Sequence, residues 1–137
     1  MTIPIRTRTE ITRRAMLELL DHYEPPRRTG SVLFHRHCHE AAVLAPEREI
    51  ALLRRAGLDV DVLDSGCCGM AGAFGFERDK YELSVALAER VLLPAVRDNP
   101  DAIVVTDGFS CREQLRQLAG IRARHVAELI AEACVLA

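Results

Sequence analysis

The residues of this chain best equipped for chemistry are its cysteines, and two of them are adjacent. Asp64-Ser65-Gly66-Cys67-Cys68-Gly69-Met70-Ala71-Gly72-Ala73-Phe74-Gly75 follows directly on the apolar alternation Leu58-Asp59-Val60-Asp61-Val62-Leu63. Neighbouring side chains turn to one centre only where the backbone bends sharply, and flanking glycines reach positive φ without steric cost. The stretch therefore reads as a strand running into a ligand-presenting loop, with Gly66, Gly69, Gly72, Phe74 and Gly75 as the frame of a cofactor-binding loop. Cys38, set between His37 and His39, and Cys111, after Asp107-Gly108-Phe109-Ser110, are two further thiols in polar or glycine-rich surroundings. The fifth, Cys134, falls at helical spacing from Val126 and Ile130 and reads as a small buried hydrophobe. An odd number of cysteines in a chain expected to be cytoplasmic favours thiolate or metal chemistry over a disulfide framework.

The elements that must position these thiols are legible in outline. Ser31-Val32-Leu33-Phe34-His35 is a continuous apolar run, as expected of a strand buried on both faces. Pro46 at the start and Gly57 just past the end frame a helix whose stripe is Ile50, Leu52 and Leu53. The second strand runs into the Cys67-Cys68 loop. Over about residues 78–97, Tyr81, Val85, Ala88, Leu92 and Ala95 recur at helical spacing, and Pro94 predicts a kink or an end near Leu93. Residues 102–106 form the third buried strand; Ser110 then caps a helix through Leu118 that Gly120 closes. A very short fourth strand over residues 121–124 is expected to end at His125, before a last helix that turns Val126, Leu129, Ile130 and Ala133 inward. Upstream, residues 9–21 predict a helix lined by Ile11, Ala15 and Leu19, and residues 24–30 read as a linker. The division is thus a tail, helix and linker over 1–30 and one domain over 31–137.

Strands alternating with helices imply an α/β fold: a short parallel sheet with right-handed crossovers and flanking helices, in three layers. In such a sheet the loops after the strands open on one edge, outside the carboxyl ends, where ligands bind. Topology alone then brings Cys38, Cys67, Cys68 and Cys111 to one rim, enough donors for a tetrahedral zinc or an iron–sulphur site. His125 joins them if the fourth strand forms. Cys111 falls in the first turn of a helix, where unpaired N–H groups and the dipole stabilise a thiolate. Glycine amides are placed to donate to sulphur, and Phe74 and Phe109 to exclude water. Alternation along an extended loop points His37 and His39 the same way, away from Cys38, as outer donors or alternate ligands. His125 shares that reading, with helix capping as its plain alternative. His35 and His22 read as structural or exposed, and Arg27-Arg28 and Arg54-Arg55 as solvated faces. A disulfide between Cys67 and Cys68 is the strained alternative to ligation.

Composition excludes several classes. A net charge of -2 leaves no basic face for nucleic acid. Aromatic residues are 4% of the chain and tryptophan is absent, so no stacking platform for bases or sugars is on offer. No apolar run approaches the roughly 20 residues of a membrane span, and the first residues lack the apolar core of a leader peptide.

Cys38, then Cys67-Cys68-Gly69, then Cys111 resemble the cysteine-rich CCG domain of iron–sulphur oxidoreductases, which also occurs in heterodisulfide reductase and in the iron–sulphur subunit of glycolate oxidase. His37-Cys38-His39, the Gly66-to-Gly75 stretch and Asp107-Gly108-Phe109-Ser110-Cys111-Arg112 are similar to the C-terminal piece of large FAD-linked oxidases of the lactate/glycolate dehydrogenase type. The resemblance covers about residues 30–130. It implies a 4Fe-4S cluster on Cys38, Cys67, Cys68 and Cys111, and relay of electrons from a flavin domain carrying FAD to an acceptor such as a quinone or a cytochrome. It implies too that the flavin domain lies elsewhere in a longer parent chain acting on 2-hydroxy acids, in the cytoplasm or at the inner face of the membrane through partners. Better-known members end the motif in Cys-x-x-Cys, whereas Cys111 is followed by Arg112-Glu113-Gln114. Four cysteines suit an ordinary four-thiolate cluster or zinc. With no dinucleotide fingerprint, the domain alone is not expected to oxidise a substrate. The alternatives are a zinc-stabilised docking module with no redox role, and a metal-free thiol oxidoreductase using Cys67 and Cys68, although the usual redox pair is Cys-x-x-Cys.

Overall fold

The computed structural model describes Glu18, residues 21–43 and residues 46–135, without the side chains of Val43 and of 133–135. The helix expected over residues 9–21 and the side chains of Ala133 and Cys134 lie outside the described residues. In chain order the elements are β1 (Ser31–His35), α1 (Cys38–Val43), α2 (Glu47–Arg55), β2 (Asp59–Leu63), a 3-10 turn (Phe74–Phe76), α3 (Tyr81–Ala88), α4 (Leu92–Asp98), β3 (Ile103–Val105), α5 (Phe109–Ala119) and α6 (Val126–Val135).

The sheet is parallel with β1 in the middle, in the order β2-β1-β3. His35 pairs with Leu63, so the carboxyl ends of β1 and β2 are level. The expected fourth strand shrinks to one bridge: the Arg124 N–H donates to the Val104 carbonyl at 2.8 Å, and the Thr106 N–H to the Arg124 carbonyl at 3.0 Å. Strand alternation sorts the core into two layers. Leu33, Leu63 and Val104 pack with Ala88, Leu92, Leu93, Val96 and Leu115 from α3, α4 and α5. Val32, Phe34, Val60 and Val105 pack on the other face with Ile50, Leu52 and Leu53 of α2 and Val126, Leu129 and Ile130 of α6. Each fully buried leucine or phenylalanine contributes about 1.5–3 kcal/mol. The result is the three-layer α/β arrangement that the sequence predicts. Among the described residues no helix is long and apolar enough to cross a membrane.

Four local differences matter. The long helix expected over residues 78–97 is two helices, broken at residues 89–91 rather than at Leu93. Pro94 instead falls in the first turn of α4, where its missing N–H is one that would have no helical partner anyway. On α3, Tyr81 is exposed and Ser84 is buried with Ala88, because the cysteine loop lies on Ser84. The segment around Cys38 is helical from Cys38 on rather than extended. Finally, α5 starts at Phe109 with extended Gly108 before it, so Ser110 lies inside the helix; Gly120, left-handed at φ 66°, closes it as expected.

Candidate metal centre

The loop after β2 is shaped by where it must lie. Gly69 has φ 87°, and a Cβ there would fall 2.8 Å from the Ser84 carbonyl oxygen and 2.9 Å from Ser84 Cα. Only glycine lets the loop backbone rest directly on α3 in this conformation. Gln114, buried on α5, clamps the same spot: its Nε2 donates to the Cys68 carbonyl at 2.5 Å and to Ser84 Oγ at 3.1 Å. The Cys68 peptide is thereby fixed from two helices, and the Gly69 N–H donates to Cys67 Sγ at 3.3 Å.

Cys38, Cys67, Cys68 and Cys111 are all free thiols. Cys68 and Cys111 are buried with their sulphurs 3.3 Å apart. Cys111 keeps its proton and donates it to Cys68, which is drawn down to about 4 from a usual 9.0; burial opposes this, and His35 and the Met70 N–H reinforce it. Cys111 is pushed up, first by that donation and then by burial. The contact between the two sulphurs thus favours a thiolate at Cys68 beside a thiol at Cys111. Cys67 is pushed up by burial, against the Gly69 N–H, and Cys38 stands close enough to raise it further. Exposed Cys38 and half-buried Cys67 thus form a second pair, at the opening of the site. Cys111 feels the charge of Cys38 as well, so the two pairs adjoin.

The histidines divide differently from expectation. His35, read as structural or exposed, is fully buried at the end of β1, with Nδ1 2.6 Å from Ser65 Oγ. A ring nitrogen of His35, Cys68 Sγ and Cys111 Sγ lie within 4.8 Å of one another. A signal was available: His35 alternates onto the Leu33 face of β1, the face on which Cys68 and Cys111 are also buried. The ring of His37 packs against Gly108 beside Cys111, because helical backbone at Cys38 replaces the extended loop that would have turned it away. His39 is exposed, its ring 6.2 Å from that of His37. His125 takes its plain alternative: Nδ1 accepts the Ala127 N–H at 3.0 Å, next to Asp107, whose Oδ1 accepts the Val126 N–H at 3.0 Å. Its described contacts are with the start of α6 rather than with the thiols. Phe109, expected to exclude water, is 72% exposed because α5 begins there and turns Cys111 inward instead. Phe74 is half-buried with Lys80 Nζ 5.2 Å from its ring centre.

Gly108 is a tight point beside Cys111. A Cβ there would stand 2.6 Å from His37 Cδ2 and 2.9 Å from Cys111 Sγ. Gly108→Ala is expected to push both side chains aside and to cost about 1–3 kcal/mol, the usual penalty of overpacking. Urea unfolding of the metal-free protein measures this; an unchanged midpoint would mean that the rim yields freely.

The donor set fits a soft or borderline metal ion, because thiolates select such ions. Two thiolates on one tetrahedral zinc stand about 3.8 Å apart at the usual bond length, close to the spacing of Cys68 and Cys111. The fold and rim thus define a parallel α/β domain that gathers cysteines at the carboxyl ends of its strands. The chain matches the CCG cysteine-rich domain over residues 32–116, from β1 into α5, and belongs to that family. It is 34% identical over 103 residues to one of the subunits of the anaerobic glycerol-3-phosphate dehydrogenase of Escherichia coli K12, covering 74% of this chain and 26% of that protein. It is 33% identical over 101 residues to the D-2-hydroxyglutarate dehydrogenase of the same strain, covering 72% and 10%. The D-2-hydroxyglutarate dehydrogenase of Pseudomonas putida is 30% identical over 109 residues, covering 78% and 11%. The chain spans about a quarter or less of the length of these relatives. No solved structure matches.

Proposed function

We propose that this chain is a metal-binding electron-relay domain of an oxidoreductase, with Cys38, Cys67, Cys68 and Cys111 as its ligands. One observation carries the reading: four free thiols meet at one rim, the two buried ones with their sulphurs 3.3 Å apart. Family membership and relatives named as dehydrogenases support the redox role. The finer form is a 4Fe-4S cluster that relays electrons from FAD in the flavin part of a larger 2-hydroxy-acid dehydrogenase to a quinone or cytochrome. Its place would be the cytoplasm, or the inner membrane face through partners. A cluster supplies one-electron steps between a two-electron flavin and its acceptor. The chain's own residues hold the ligands in place: Gln114 and Gly69 fix Cys68 against α3, the Gly69 N–H donates to Cys67, and exposed Cys38 leaves the site open to a partner. Hydrogen bonds to sulphur and exposure at the rim set the potential.

A second reading has its own observation. Two sulphurs 3.3 Å apart suit a single ion, so zinc would make this a docking module with no redox role. Metal and acid-labile sulphide analysis with a visible spectrum, on protein purified without oxygen, separates the two. Brown protein with iron and sulphide, bleached by Cys67→Ser or Cys68→Ser, is the expected result. Colourless protein with one zinc per chain overturns the relay and leaves the docking module. Colourless, metal-free protein that resists reconstitution overturns both.

A further inference from the structure

His35 is the one histidine buried among the thiols, and its two nitrogens have different surroundings. Nδ1 lies 2.6 Å from Ser65 Oγ, while Nε2 is buried with no nitrogen or oxygen partner among the described residues, and the ring stands close enough to Cys68 to favour its thiolate. A core histidine held only for packing would be expected to satisfy both nitrogens, since buried polar atoms are rarely left unpaired. Here the ring sits in a group with Cys68 Sγ and Cys111 Sγ, all within 4.8 Å of one another. Metal-binding histidines show this same division: one nitrogen binds the ion and the other is held by an oxygen that fixes ring orientation and tautomer. Ser65 is placed to be that oxygen.

We propose that His35 Nε2 is a metal ligand, forming with Cys68 and Cys111 a two-sulphur, one-nitrogen set for a single divalent ion of the zinc or iron(II) class, with the fourth position open to the Cys38–Cys67 pair. This rests on the reading that Cys68 and Cys111 bind metal. The charges balance within the buried set: two thiolates neutralise the ion and the imidazole adds none. On binding, any proton still held by the two sulphurs passes to solvent. The geometry suits one ion because the three ligand atoms lie within 4.8 Å of one another. The rigidity of the set follows from its supports. His35 is fixed by its pairing with Leu63 of β2, Cys68 by Gln114, and Cys111 by the first turn of α5.

Cobalt(II) titrated into the reduced, metal-free protein tests this, because thiolate charge-transfer and d–d bands report the ligands directly. Wild-type protein should bind one equivalent with the bands of a tetrahedral sulphur–nitrogen site. His35→Asn, which keeps a polar group beside Ser65 and removes Nε2, should weaken cobalt binding more than about 100-fold, beyond the 10–100-fold typical of losing an outer partner. Ser65→Ala should fall inside that smaller range. His35→Cys should bind again, with the d–d bands moved to longer wavelength as sulphur replaces nitrogen. Unchanged affinity and spectrum in His35→Asn overturns the proposal. If Cys68→Ser and Cys111→Ser abolish binding while His35→Asn does not, only the role of His35 falls. If none of them alters it, the thiol centre falls as well. Should His35→Asn fail to fold, pulsed EPR of cobalt-loaded His37→Ala protein labelled with nitrogen-15 histidine decides: nitrogen coupling supports the ligand, and its absence overturns it.

Discussion

Cys111→Ala is expected to return Cys68 to ordinary thiol behaviour and, on the proposed function, to abolish metal uptake. Donation from Cys111 is the largest cause of the depressed Cys68 value, ahead of the opposing effect of burial and the smaller help from His35 and the Met70 N–H. Without it, the largest remaining influence is burial, which favours the protonated thiol. The consequence reaches stability, and its sign can be worked out. Cys68 titrates at about 4 in the folded, metal-free protein against a usual 9.0, so across that window the folded state binds fewer protons than the unfolded one. Its contribution is complete above the unfolded value and drains away as pH falls towards 4. Cys111, shifted the other way, matters only above its usual value of 9.0, where the unfolded thiol ionises and the folded one resists. Between about pH 5 and about pH 8, then, this pair makes the wild-type protein more stable as pH rises. Urea midpoints across that range should rise more steeply for the metal-free wild type than for Cys111→Ala. The ultraviolet thiolate band should likewise persist in mild acid only in the wild type. Equal slopes and equal bands in the two proteins would show that the pair shares no proton.

The gathering of these thiols was the most legible feature of the chain, because it needed only the order of elements. Once the runs ending at His35, Leu63 and Val105 are strands of one parallel sheet, Cys38, Cys67, Cys68 and Cys111 fall at the same edge whatever the details of packing. What stayed hidden was the pairing. Whether Cys67 or Cys68 turns inward depends on a left-handed backbone at Gly69 and a glutamine far along the chain, and residue type reveals neither. His35 was obscured for a related reason. Alternation puts His35 on the Leu33 face, but a strand buried on both faces shows no polar–apolar contrast, so nothing in Val32-Leu33-Phe34 says which of its faces looks towards the cysteines. The break between α3 and α4 was misplaced because proline marks a disturbed helix without saying on which side of itself the helix begins. α1, six residues long, is too short to present a helical period at all.

Gly69→Ala is expected to be the most damaging small substitution in the cysteine loop, and Gly72→Ala a mild one, although both glycines are left-handed. At Gly72, φ is 66° and a Cβ would meet nothing within 4 Å, so only the backbone penalty applies, about 1–2 kcal/mol. At Gly69, φ is 87° and the same Cβ would also strike the Ser84 carbonyl oxygen at 2.8 Å, Ser84 Cα at 2.9 Å and Leu87 Cβ at 3.1 Å. Two of these are backbone atoms of α3, which cannot swing aside as a flexible side chain can, so an overpacking cost of about 1–3 kcal/mol adds to the conformational one. The sum, about 2–5 kcal/mol, is a large share of the 5–15 kcal/mol by which domains are normally stable. Loop and helix cannot separate cheaply either, since Gln114 ties the Cys68 carbonyl to Ser84 across that contact. Relief by moving the loop would carry Cys68 away from Cys111, so the variant should lose the thiolate band along with stability. Equal urea midpoints for the two variants would mean that the loop does not rest on α3 as described.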